Sequence, residues 1–165
     1  MATVSSVNGL QAGTHPSRGI RSLPYVVENL VNFATATTTK GSALAASDVI
    51  QCISVPAQTA VLAAGYEVIA TATGDVLLSV GTTQLATAFV SSQALTGSTA
   101  VGAYPTPSAT AYPAVFGASA GTVDITISTS TTTLSAGTVR VWAILCDVQD
   151  RREGAGLSAD RDQLA

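Results

Sequence analysis

The cleanest pattern in this chain is Thr122–Ser128 (TVDITIS), where Val123, Ile125 and Ile127 alternate with Thr122, Asp124, Thr126 and Ser128. Alternation with period two predicts a half-solvated strand. Thr138–Val148 (TVRVWAILCDV) is apolar on both faces after Arg140 and predicts a central strand, with Trp142 on the face of Ile144 and Cys146. The linker Ser128–Gly137 is expected to hold the turn between these two runs. Ser47–Val55 (SDVIQCISV) is β-branched and stops at Pro56, a residue confined to strand ends and edges. Thr59–Ala64 leads through Gly65 into Tyr66–Ala72, and Thr73-Gly74-Asp75 separates this from Val76–Val80. Two β runs around a short Gly-containing turn predict a hairpin.

Three segments read less simply. Tyr25–Phe33 (YVVENLVNF) suits either a strand or a short helix, and the Thr run of Ala34–Gly41 favours extended structure. Gln84–Val90 spaces Leu85, Ala88 and Phe89 at i, i+3 and i+4, the pattern of a short helix. Ser91–Phe116, with Pro105, Pro107 and Pro113 beside Tyr104, Tyr112 and Phe116, predicts a long loop. Loops of that length in compact domains usually serve contact or function. Six to eight short strands with almost no helix predict an all-β fold, a β-sandwich or jelly-roll-like domain over residues 25–148.

The ends differ from this body. Residues 1–24 carry Gly9, Gly13, Pro16, Gly19 and Pro24 with Arg18 and Arg21, which suits an extended N-terminal arm. The arm is either a disordered terminus or a segment that orders on a neighbouring subunit. Residues 149–165 form a charged C-terminal tail containing Arg151 and Arg152. The chain has seven Lys and Arg and ten Asp and Glu, and eight of these fall between Asp147 and Asp162. A typical soluble chain is about one quarter charged. A body so poor in charge is expected to hide surface against other subunits. Hydrophobic residues make up 47% and aromatic residues 5%, so the core must come from Val, Ile, Leu and Ala.

Composition also excludes functions. A net charge of −3 with Lys40 as the single lysine argues against a nucleic-acid surface. No apolar run reaches the roughly 18 residues of a spanning helix, aromatic girdles for a membrane barrel are lacking, and no signal peptide is evident. A soluble protein made in the cytoplasm is expected. Cys52 and Cys146 fit two reduced, buried small side chains, with a disulfide as the alternative. The one histidine, His15, lies in the arm, away from any rigid framework for nucleophilic catalysis. Body carboxylates are scattered, Asp75 is explained by its turn, and no phosphate loop, dinucleotide fingerprint or metal-ligand cluster occurs. The expectation is no enzyme, no cofactor and no metal.

The passage Ile53–Val68 (ISVPAQTAVLAAGYEV), then ATATGDVLLSVG, the segment from Thr82 to Tyr104 and the late strand GTVRVWAILCDV fall in one order between about residues 47 and 148. This resembles small β-rich head proteins of tailed bacteriophages, in particular capsid decoration (cement) proteins. Neither the arm nor the tail is covered. The resemblance implies a non-enzymatic virion protein made in the host cytoplasm and located on the phage head. It would bind the outside of an icosahedral shell as a homotrimer, with the major capsid protein as partner, and reinforce capsomer contacts. Candidate interface residues are Arg18, Arg21, Tyr104, Tyr112, Phe116, Arg151 and Arg152. Two alternatives belong to other classes: a receptor-binding or fibre domain whose Tyr104–Phe116 loop recognises a host surface glycan, and a tail-tube or head–tail connector subunit.

Overall fold

A computed structural model describes residues 3–5, 24–108, 114–116, 118–130 and 133–148. They form nine strands and one helix: β1 (Thr3–Ser5), β2 (Tyr25–Asn32), α1 (Phe33–Lys40), β3 (Val49–Val55), β4 (Thr59–Thr73), β5 (Val76–Thr82), β6 (Val90–Leu95), β7 (Ala114–Phe116), β8 (Gly121–Ser130) and β9 (Ala136–Asp147). The first sheet has the order β1-β3-β8-β5-β6 and the second β2-β9-β4-β7. All pairings are antiparallel except β1 with β3. From β2 onward the chain changes sheet at every connection but β5–β6. Two sheets woven in this way make a β-sandwich, the all-β class that the strand pattern predicts.

The two sheets share one apolar core. Val139, Val141, Ala143 and Leu145 of β9 face Val123, Ile125 and Ile127 of β8, and all are buried. The aliphatic core forecast from the low aromatic content is what forms; Phe33, Phe89, Phe116 and Tyr66 fill the larger gaps. A buried amide links the layers: Asn29 Nδ2 on β2 donates to the Cys52 carbonyl on β3 at 2.8 Å. Leu44 and Leu134, both fully buried, form an isolated bridge that closes one end. Cys52 is buried and Cys146 half-buried, and no disulfide joins them.

The strands expected at Ser47–Val55, Thr122–Ser128 and Thr138–Val148 are present, and β9 is central, paired with both β2 and β4. Three local expectations need correction. The Thr-rich segment is helix α1, not extended chain. Asn32 Oδ1 caps it by accepting from Ala34 N at 2.9 Å and Thr35 N at 3.3 Å. Gly41 ends it in the left-handed region (φ 78°), its N–H bonded to the carbonyls of Thr37 and Thr38. Within the helix Thr38 and Thr39 hydroxyls donate to the carbonyls of Ala34 and Thr35. Good caps outweigh the modest propensity deficit of threonine.

Gln84–Val90 is not a helix. Leu85 N bonds back to Thr82 O and Thr82 N to Leu85 O, so the chain turns tightly, and Phe89 N returns to Val80 O to start β6. The apparent helical spacing arises because Ala88 and Phe89 drop into the core while Leu85 stays exposed. Finally, β4 and β5 do not pair as a hairpin. They lie in different sheets, with β9 and β7 beside β4 and β8 and β6 beside β5. The Thr73-Gly74-Asp75 turn is an arch that carries the chain across the core. The predicted loop 91–116 contains β6 and β7 at its ends.

Candidate interaction surface

Strand alternation gives each sheet an outward face, and the two are built from different chemistry. On the second sheet, β2 turns Val26, Glu28 and Leu30 outward, with Val26 67% and Leu30 60% exposed. Registered beside them on β9 are Ile144, Trp142 and Arg140, and next on β4 come Ala63, Gly65 and Glu67. Gly65 is required by this arrangement, because a Cβ there would come within 2.9 Å of the Trp142 ring. Leu62, pushed out by a bulge in β4, and Val115 of β7 extend the apolar area.

Charge on this face is confined to one cluster. Arg140 Nη1 lies 3.7 Å from Glu28 Oε2 and its Nε lies 3.6 Å from Glu67 Oε2. Tyr104 reaches the same cluster from the loop after β6. That loop is pinned to β4 by Val68 N to Ala103 O at 3.0 Å and Gly102 N to Val68 O at 2.7 Å. Desolvation at the sheet surface, together with the Glu67 carboxylate to which it is hydrogen bonded, holds the Tyr104 phenol above its ordinary range. A cleft of about 320 Å³ opens between Tyr104, Pro105, Pro107, Leu62 and Trp142.

On the first sheet the outward face carries hydroxyls. Ser79 and Ser128 are hydrogen bonded at 2.6 Å, Ser92 N donates to Ser79 Oγ, and Thr83 and Thr122 stand 3.4 Å apart. Between them sits Asp124, only 3% exposed, opposite Gly81 of β5 and Gln51 of β3. Loop 82–88 presses onto Gly81 so closely that a Cβ would lie 2.1 Å from Leu85 O. Burial pushes the Asp124 carboxyl above the ordinary carboxylate range, and a hydrogen bond from Thr122 offsets part of that rise. A second buried carboxylate, Asp48, is paired: Lys40 Nζ lies 2.5 Å from its Oδ2, which also accepts from Ala45 N at 2.8 Å. The single lysine is thereby consumed in tying α1 to the start of β3.

Of the residues singled out in the sequence, Tyr104 is exposed (64%) on the apolar face of the second sheet. Phe116 is buried, its ring against Gly121. Arg18, Arg21, Tyr112, Arg151 and Arg152 lie outside the described residues, as do the rest of the arm beyond β1 and the tail. Sequence reasoning passed over Val26, Leu30 and Asp124. The signal for the first two was an apolar residue on either side of Glu28 at the outward positions of β2; for Asp124 it was a carboxylate in the middle of a strand.

No protein-family model matches the chain, and no curated protein matches it in sequence. Two solved structures share its fold. A chain of the cyanophage Pam1 capsid asymmetric unit superposes with a TM-score of 0.58 at 21% identity, over 86% of this chain and 97% of that one. A chain from the capsid of Ralstonia phage GP4 superposes with a TM-score of 0.60 at 13% identity, over 90% of this chain and 99% of the other. At these identities the likeness is one of fold, and it runs nearly end to end in both partners.

Proposed function

We propose that this chain is a structural protein of a phage virion. More narrowly, it is a decoration (cement) protein that binds the outer surface of an icosahedral head and strengthens contacts between capsomers. The observation that carries this reading is the fold shared almost end to end with two phage capsid chains. The apolar outward face of the second sheet supplies the physical reason to bind: Val26, Leu30, Ile144 and Trp142 form a patch that gains free energy when covered. In this reading the second sheet meets the major capsid protein or a second copy, and symmetric association into a homotrimer covers part of it. The arm and tail, through Arg18, Arg21, Arg151 and Arg152, extend the contact, and the work done is mechanical rather than catalytic. The protein is made in the host cytoplasm and resides on the head.

Purified protein mixed with undecorated expanded heads, followed by pelleting and electron microscopy, tests the proposal, with light scattering giving its oligomeric state. Regular density on the shell and a trimer in solution are expected. A monomer that stays in the supernatant sinks it. One observation favours a second reading, a receptor-binding domain: the cleft at Tyr104 and Trp142 puts aromatic rings beside Glu67 and Arg140, a combination suited to sugars. Binding on a glycan array without binding to shells would select that reading.

A further inference from the structure

From the outward face of the first sheet we infer a socket for a single basic side chain, an arginine presented by another protein subunit, with the Asp124 carboxylate as its counter-charge. Asp124 is 3% exposed, and its Oδ1 is out of solvent with no hydrogen-bond partner in the structure. A buried carboxylate oxygen left unpaired costs about 1–3 kcal/mol or more, so it marks a group whose partner has still to arrive. Asp124 is one of the residues lining a cleft of about 390 Å³, and because its Oδ1 is covered, a guest reaches that oxygen only as the cleft wall shifts aside. The cleft volume is over ten times the ~30 Å³ share of one water, so the space suits a side chain rather than a lone solvent molecule.

The walls specify the guest. Thr83, Thr126, Ser128 and Gln51 line the cleft with side-chain oxygens around the one carboxylate, while the Thr82 hydroxyl is already taken by the N–H groups of Gln84 and Leu85. A guanidinium, with five N–H donors in a planar fork, matches many acceptors and one negative charge at once. A divalent cation does not: it would want several carboxylate oxygens, and among the described residues no group of three or more His, Cys, Asp or Glu could hold one. The domain also has no basic side chain of its own to offer. Among the described residues the basic groups are Lys40, bound to Asp48, and Arg140, on the outward face of the other sheet between Glu28 and Glu67. The site goes beyond shell binding and stands whether or not the chain decorates a head.

The experiment titrates the full chain, labelled with ¹³C at aspartate carboxyls, with N-acetyl-arginine amide and separately with N-acetyl-citrulline amide at matched ionic strength. The expected result is a saturable shift of the Asp124 carboxyl resonance with the arginine probe. The isosteric neutral probe should bind at least tenfold more weakly, and so should the arginine probe to Asp124→Asn. Thermal melting confirms that the variant is folded. If it is not, Thr126→Val, which removes one wall acceptor, serves in its place with a loss of about threefold. The inference is overturned if the Asp124 resonance ignores the arginine probe or if citrulline shifts it equally. It is also overturned if calcium chloride perturbs it at lower concentration than arginine does. A resonance already paired in the free chain, and released by Arg18→Gln with Arg21→Gln, overturns it too by making the arm the occupant.

Discussion

The two outward faces of this sandwich are made by the same strand alternation and differ in what they leave unfinished. The second sheet displays Val26, Leu30, Ile144 and Trp142 around a small ion cluster; the first displays serines and threonines around one buried, half-partnered carboxylate. An apolar patch gains by being covered with almost anything of matching shape, so it supplies affinity. A buried carboxylate gains only from a donor of the right charge and geometry, so it supplies selectivity. In the roles proposed above, one small domain separates adhesion from discrimination by placing them on opposite sides of a shared core.

The comparison breaks most sharply at Gly81. Replacing Gly81 by Val drives a side chain into the Leu85–Ala86 backbone, lifts loop 82–88 off the first sheet and dismantles the hydroxyl face. The expected destabilisation is about 3 kcal/mol, seen as a lower midpoint in urea with an unchanged slope. Next comes the apolar face. Val26→Glu with Leu30→Glu, at exposed positions of an edge strand, should leave folding within about 0.5 kcal/mol but weaken shell binding by roughly 100-fold. Equal retention of the double variant on heads would move the adhesive role away from this sheet.

Asp124→Asn sharpens the contrast at intermediate size. The native carboxyl titrates above its ordinary value of 3.8, so the folded state holds the proton more tightly than the unfolded chain does. Stability therefore falls as pH rises from about 4 through the raised midpoint and is level above it. The asparagine variant should lack that slope and be about 1 kcal/mol more stable than the parent at pH 7, while losing the arginine probe. Melting curves between pH 3 and pH 8 check both points. The smallest effect is expected at Arg140→Met: its ion pairs at 3.6 and 3.7 Å are long, with the guanidinium and Glu28 exposed and Glu67 half-buried, so stability should change by no more than about 0.5 kcal/mol. A larger loss would show the cluster to be structural.

Legibility in the sequence followed the range of the interaction involved. The β8 alternation at Val123, Ile125 and Ile127 and the two-sided apolarity of β9 were readable because burial on one or both faces writes itself into consecutive residues. Helix α1 was missed because its stability comes from Asn32 and Gly41 at its ends, not from the threonines between them. The supposed hairpin of β4 and β5 failed for a different reason: hairpin and arch share the same two runs and turn, and only the distant partners β9 and β8 separate them. Of the candidate site, Tyr104 was visible as an aromatic in a proline-rich loop. Phe116 carried the same signal yet is core, since exposure in a loop depends on what packs beneath it.

The order of polar and apolar residues alone determined that this chain is an all-β sandwich with an aliphatic core, poor in charge from its first strand to β9. Local periodicity and composition suffice for that, because each strand must bury one face whatever its neighbours are. Which strands share a sheet, which face carries the apolar patch, and that Asp124 sits buried without a full set of partners were decided by the tertiary structure. Those properties depend on pairings between residues far apart in the chain, such as Gly81 with Asp124 and Gly65 with Trp142, and no local pattern encodes them.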